Sequence, residues 1–173
     1  MNFSELFGSA EWVTCESGCT SPVIKGSFFI EKPERAEITV CGLGFFRLWI
    51  NGREVSKDKF VPVNSQYCKR DLTAFEYPIL DELSYRTYAV RYDISKFVVD
   101  GKNDIRVILG CGWFAQQKRS AEGFAKYGDI KLCYKIDVEN KSGKNILLFP
   151  MRTLNGSRAA LLKTTYISAR STT

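Results

Sequence analysis

The sequence of 173 residues contains no histidine. This absence excludes Ser–His–Asp and Cys–His triads, zinc sites of the HExxH type and any imidazole general base. No apolar run approaches the ~20 residues that a membrane-spanning helix needs, so no membrane partner is predicted. The amino terminus lacks a basic segment followed by an apolar core, which is the pattern of a secretory signal, and a cytoplasmic location is therefore expected.

Six cysteines are present, but their spacing gives little support for a metal site or for disulfides. Only Cys15 and Cys19 lie close together, and one C-x3-C pair without histidine is weak evidence for zinc. In the reducing compartment expected for this chain, structural disulfides are disfavoured. We therefore predict no metal and no cofactor, and we interpret Cys41 and Cys133 as small buried residues.

The formal net charge of +6 is unevenly distributed along the chain. Residues 150–173 contain four basic residues and no acidic residue, which leaves 21 basic and 19 acidic residues in residues 1–149. The body of the chain is thus nearly neutral and mixes both signs, as expected of a solvated surface. The basic excess is therefore no sign of nucleic-acid binding, and no nucleic-acid partner is predicted.

Alternating apolar and polar residues predict strands in the body of the chain. In the clearest run, residues 130–139, every second residue is apolar and most of the others are charged, as in a half-buried strand. Turn signals separate the runs, and Asn51-Gly52 is the strongest hairpin signal. Because no βαβ alternation is present, we predict an all-β fold, an antiparallel β-sandwich. The other predicted strands are Ala36–Val40, Phe45–Ile50, Tyr88–Tyr92 and Ile105–Leu109.

A carbohydrate site is predicted beside the second of two Gly-x-Gly pairs, Gly42–Gly44 and Gly110–Gly112. Neither pair has a third glycine or a following helix, so both are interpreted as bulges or strand ends where the backbone bends. The aromatic residues after the second pair can project at the rim of a sandwich and pack on the apolar face of a sugar. Neighbouring amides and guanidinium groups can bind the sugar hydroxyls. The predicted site comprises Trp113, Phe114, Gln116, Gln117 and Arg119.

Trp113 also has a purely structural interpretation, in which its large apolar ring fills the end of the sandwich or a domain interface. Trp49, which lies inside a predicted strand, is interpreted as core or interdomain packing. No catalytic residue is predicted, because most acidic residues fall on polar strand faces or in turns. The sequence alone does not place two of them across a glycosidic bond.

Four motifs follow one another along the chain: LWINGREV at 48–55, YDI at 92–94, GKN at 101–103 and LGCGWF at 109–114. Their order, over roughly residues 10–149, resembles the N-terminal β-sandwich domain of bacterial α-L-rhamnosidases, which implies a sandwich of the jelly-roll, galactose-binding-like type. The resemblance implies a non-catalytic module of a glycoside hydrolase that removes terminal L-rhamnose, with its acid and base carboxylates in a separate (α/α)₆ barrel. The implied partners are rhamnosides and that catalytic domain. The alternative is a structural domain that braces the barrel and binds no sugar.

Residues 150–173 depart from the pattern of that family, which continues with Trp-Lys and Gly-Glu segments that this chain lacks. Codons permitted for this tail, read one base earlier, can encode both segments. We therefore hypothesise a one-base frameshift near Phe149, with residues 1–149 as the accessory domain and residues 150–173 as an out-of-frame basic tail. A divergent terminal strand near Leu161-Leu162 or Tyr166-Ile167 is the alternative. Loss of the closing segment would expose a sheet edge and favour self-association.

Overall fold

The computed structural model describes residues 3–14, 21–75, 84–116 and 126–141 in full, and the backbone of short segments at 145–148, 150–151, 161–164 and 167–168. These residues form two six-stranded sheets and one short helix, α1 (Phe3–Phe7). The strands in chain order are β1 (Val13–Thr14), β2 (Val23–Ile30), β3 (Pro33–Leu43), β4 (Phe45–Ile50), β5 (Arg53–Glu54), β6 (Ala89–Asp93), β7 (Gly101–Gly110), β8 (Lys131–Asn140), β9 (Asn145–Leu148), β10 (Pro150–Met151), β11 (Leu161–Thr164) and β12 (Ile167–Ser168).

The two sheets are built by a chain that passes back and forth between them. The first sheet has the order β12-β9-β8-β3-β6, and β1 also pairs with β8. The second sheet has the order β10-β11-β2-β7-β4-β5. Among these described strands every pair is antiparallel except β11 and β2, which are parallel. The predicted antiparallel β-sandwich is therefore confirmed.

One hydrophobic core lies between the sheets, because alternate residues of the long strands face inward. Both sheets contribute to the same buried cluster. The apolar faces predicted for four of the five strands supply much of it. Tyr88, assigned to the fifth predicted strand, precedes β6 and is 51% exposed. The inward residues that are at most 3% exposed include Ala36, Ile38, Val40, Leu48, Ile50, Ile105, Val107, Leu109, Ile130, Leu132, Tyr134, Ile136 and Val138.

A smaller buried cluster lies on the outer face of the first sheet. Cys41 on β3 and Cys133 on β8 are direct cross-strand neighbours and pack with Phe7 of α1. Burial raises the pKa of both thiols, that of Cys133 to about 12. The interpretation of these two cysteines as small buried residues is confirmed, whereas Cys15 and Cys19 lie outside the described residues. The sequence gives no sign of α1, because five residues are too few to show a helical period.

One end of the sandwich, called here the asparagine end, is organised by Asn51. Asn51 and Gly52 have φ angles of 51° and 76° and form the two-residue turn between β4 and β5, as predicted. The side-chain Nδ2 of Asn51 donates to the carbonyl oxygen of Phe97 at 2.9 Å and to Oδ1 of Asn103 at 2.8 Å. The hairpin turn is thereby fixed to the start of β7.

Asn103 completes this arrangement from inside the sandwich, where it is fully buried. Its Nδ2 donates to the carbonyl oxygens of Val99 at 2.8 Å and Gly101 at 3.0 Å. Its Oδ1 accepts from the Val99 N–H at 2.8 Å as well as from Asn51. All four hydrogen-bonding positions of the carboxamide are occupied. The INGREV and GKN motifs are therefore two halves of one structural network.

Candidate functional site

The opposite end of the sandwich, called here the glycine end, is built on the two Gly-x-Gly pairs. Gly44 and Gly112 have φ angles of 122° and 53°, which residues with a side chain rarely adopt. A Cβ atom on Gly44 would clash with the carbonyl oxygen of Gly110, and one on Gly112 would lie 2.8 Å from the Phe45 nitrogen. The two pairs therefore lie against each other where β4 and β7 meet, and their interpretation as backbone bends is confirmed.

Trp113 follows this bend directly, and 41% of its surface is exposed. Its ring packs edge-to-face on Phe45 with 6.1 Å between centroids, and Phe45 contacts Phe60 in the same manner at 5.5 Å. The segment that carries Phe60 is fixed to β4, because the Phe46 N–H donates to the carbonyl oxygen of Val61 at 2.9 Å. Phe45, Phe60 and Trp113 are called here the rim aromatic group. They form a supported but partly exposed apolar surface.

Phe114 points into the core, where only 9% of its surface is exposed. Its ring contacts Tyr67 and Tyr127, with centroids at 5.2 Å and 6.0 Å. Burial raises the pKa of Tyr67, against the opposing effect of its hydrogen bonds with Ser65. Phe114 therefore supports the neighbouring rings and presents little surface of its own to a ligand.

Tyr127 is an exposed aromatic residue of this end that sequence reasoning did not select. It is 45% exposed, and its N–H donates to the carbonyl oxygen of Phe114 at 2.9 Å. The available signal was Gly128, since a Cβ atom there would lie 3.3 Å from the Phe114 ring. Small size at Gly128 lets this segment approach the rim.

The predicted polar residues of the site are only partly described. Gln116 is half-buried and follows a turn that is closed by the bond from the Ala115 N–H to the Cys111 carbonyl oxygen at 3.0 Å. Gln117 and Arg119 lie outside the described residues. The structure therefore brings Trp113, Phe114 and Gln116 together through one turn, with the two aromatic rings facing different surroundings.

Two described carboxylates, those of Asp71 and Asp93, accept hydrogen bonds from residues two positions along the chain. Hydrogen bonds from Thr73 and Ser95 lower the pKa values of Asp71 and Asp93. Within the same described ranges, no group of three or more Cys, Asp or Glu residues is arranged to hold a metal ion. No helix in that part of the chain is long and apolar enough to cross a membrane.

Trp49 lies on the outer face of the second sheet and not in the core. It is half-buried, with the guanidinium groups of Arg47 and Arg106 at 5.1 Å and 4.5 Å from its ring centroid. Its neighbours in the strand, Leu48 and Ile50, are the residues that face inward. Of the two interpretations of Trp49, core packing is therefore wrong, and interdomain packing stays a prediction.

Comparison with known proteins gives consistent matches. Residues 31–166 match the sequence model of the α-L-rhamnosidase N-terminal domain. An α-L-rhamnosidase of Formosa agariphila is 29% identical over 83 residues, which are 48% of this chain and 7% of that protein.

Solved structures give the same picture. The α-L-rhamnosidase of Aspergillus terreus superposes with a TM-score of 0.69 at 18% identity, over 86% of this chain and 16% of the other. That of Dictyoglumus thermophilum gives 0.64 at 25% identity, over 91% of this chain and 16% of the other. These likenesses show the fold, and the chain spans a small part of each relative.

Proposed function

The chain belongs to the family of α-L-rhamnosidase N-terminal domains, and we propose that it is a non-catalytic module that helps to recognise rhamnose-containing glycans or glycosides. The observation that carries this proposal is the exposed ring of Trp113, held at the glycine end by Phe45. We place the hydrolytic chemistry outside these 173 residues, in the catalytic barrel that the family resemblance implies.

The chemistry of the rim suits a deoxy sugar. L-Rhamnose carries a methyl group in place of a hydroxymethyl group, so one side of the molecule is largely apolar. An indole ring that is already held by contact with a neighbouring ring loses little conformational freedom when it receives such a surface. The phenol of Tyr127 and the amide of Gln116 lie in the adjoining segments and supply polar groups for hydroxyls.

The proposal is tested by titrating methyl α-L-rhamnoside into the full chain while tryptophan fluorescence and binding heat are recorded. We expect a saturable response that Trp113→Ala abolishes and that Trp49→Phe leaves intact. Because Trp113 is itself a fluorophore, the loss must also be seen by calorimetry. A calorimetric affinity that is the same in Trp113→Ala and in the wild type would refute the assignment of Trp113.

One observation favours the alternative, a domain that only braces the catalytic barrel. Other exposed aromatic rings, including Phe60 at 69% and Tyr127 at 45%, lie at the same end as Trp113. This is more apolar surface than one sugar ring covers, and contiguous exposed apolar patches commonly mark protein contacts. Under this alternative, no rhamnoside gives a saturable response in either assay, and Trp113→Ala instead weakens binding of a separately produced catalytic domain.

A further inference from the structure

A row of cross-strand neighbours lies on the outer face of the second sheet. It runs from Lys25 on β2 through Arg106 on β7 and Trp49 on β4 to Glu54 on β5. The Arg106 guanidinium lies over the Trp49 ring at 4.5 Å from its centroid. Stacking of this kind fixes the plane of a guanidinium group and pre-orients its N–H donors toward a carboxylate.

Two cations of this row are adjacent and unneutralised. Lys25 and Arg106 are directly opposite each other, an arrangement of like charges that destabilises a sheet. Neither forms an ion pair with another residue of the described ranges, because Glu54 is bonded to Arg47 at 2.7 Å and the neighbouring Asp104 pairs with Lys102 at 3.7 Å. A bound anion would remove this repulsion.

A groove of about 290 Å³ opens beside the row. Its polar and aromatic lining residues are Lys25, Trp49, Asp104 and Arg106. The volume lies at the small end of ligand sites, near ~300 Å³, and suits a single sugar ring. The lining combines two cations with one carboxylate, so a matching ligand needs both an anionic group and hydrogen-bond donors.

We propose that this groove binds a carboxylate-bearing sugar, a hexuronate unit of a glycan. Lys25 and Arg106 bind the sugar carboxylate, and Asp104 accepts hydrogen bonds from ring hydroxyls that an inorganic anion lacks. The site is distinct from the rim aromatic group, because Trp49 lies four residues along β4 from Phe45, about 13 Å at the usual rise of a strand. It therefore does not depend on rhamnose binding at Trp113.

The test is calorimetric titration of the full chain with methyl β-D-glucuronoside and, in parallel, with methyl β-D-glucoside. We expect the glucuronoside to bind at least about tenfold more tightly, since only it forms charge-assisted hydrogen bonds with Arg106. Arg106→Gln should weaken glucuronoside binding by about tenfold or more, and Lys25→Gln should also weaken it. Arg91→Gln removes an exposed arginine from the outer face of the other sheet, and this matched control should change the affinity less than about twofold.

Several outcomes would overturn the proposal. These are equal affinity for the two glycosides, equal weakening by Arg91→Gln and Arg106→Gln, inorganic sulfate binding as tightly as the glucuronoside, and no binding heat in the millimolar range. Thermal unfolding of each variant establishes that it is folded. Trp113→Ala separates this proposal from the preceding one, because it should leave glucuronoside binding unchanged.

Discussion

Replacement of Asn103 by alanine tests whether the motif asparagines act as scaffold. The Asn103 carboxamide forms four hydrogen bonds of 2.8–3.0 Å while fully buried. At a net contribution of about 0.5–1.5 kcal/mol per bond, their loss should lower the free energy of unfolding by about 2–6 kcal/mol. That is a large share of the ~5–15 kcal/mol that stabilises a typical domain.

The measurement is equilibrium unfolding in urea, followed by tryptophan fluorescence and circular dichroism. Asn64→Ala is the matched control, because Asn64 is exposed and should contribute about 0.5 kcal/mol or less. Asn103→Asp keeps the size but turns a second oxygen toward the carbonyl oxygens of Val99 and Gly101, and it should destabilise as well. A loss below about 1 kcal/mol in Asn103→Ala would refute the reasoning, since the network would then add little beyond ordinary solvation.

Two further perturbations test the glycine end and the buried thiols. Gly112→Ala should lower the thermal unfolding temperature more than Gly52→Ala does. Both have positive φ, but only the first Cβ meets backbone, at 2.8 Å from the Phe45 nitrogen. Equal losses would show that close approach at Gly112 is relieved without cost. Burial raises the pKa of Cys133 from 9.0 to about 12, so the folded chain keeps a proton that the unfolded chain loses, and the free energy of unfolding should fall as pH rises from 9 toward 12. Urea unfolding at several pH values should give a shallower fall in Cys133→Ala, and an unchanged slope would contradict the assignment.

The strands could be predicted because a period of two is a local signal. Apolar and mostly charged residues alternate so regularly over residues 130–139 that the buried face, from Ile130 to Val138, can be predicted without knowledge of a partner strand. The hairpin turn at Asn51-Gly52 could be predicted as well, because a two-residue turn between antiparallel strands favours those residue types. Both predictions depend on neighbours in sequence, and both are confirmed.

The surroundings of the tryptophans depend on distant parts of the chain and were harder to predict. Both faces of β4 carry apolar residues, so the strand pattern does not show which face is buried. Only Arg47, which shares a face with Trp49, indicates that this face is the outer one. The rim aromatic group joins Trp113 to Phe45 and Phe60, which are far apart in sequence. Gln116 could be predicted because it is close to Trp113 in sequence. Phe45 and Phe60 could not, because only the fold brings them to the ring.

The predicted boundary of the tail at residue 150 depends on composition and on the family pattern, not on strand periodicity. The backbone of β10, β11 and β12 joins both sheets, with Leu161 opposite Lys25 and Ile167 opposite Leu147. The family match also continues to residue 166. The out-of-frame origin of the tail and self-association through an exposed sheet edge both stay predictions.

The motif residues at the two ends of the sandwich differ in whether their side chains can still contact a ligand. At the asparagine end, every donor and acceptor of the Asn103 side chain is hydrogen-bonded to the backbone or to Asn51, so none remains for a ligand. At the glycine end, the bent backbone presents Trp113 in contact with Phe45 and with 41% of its surface exposed. Substitution at Asn103 should therefore change stability first and binding only through it. Substitution at Trp113 should change binding while the folded state persists, and this separation distinguishes a scaffold motif from a recognition motif within one fold.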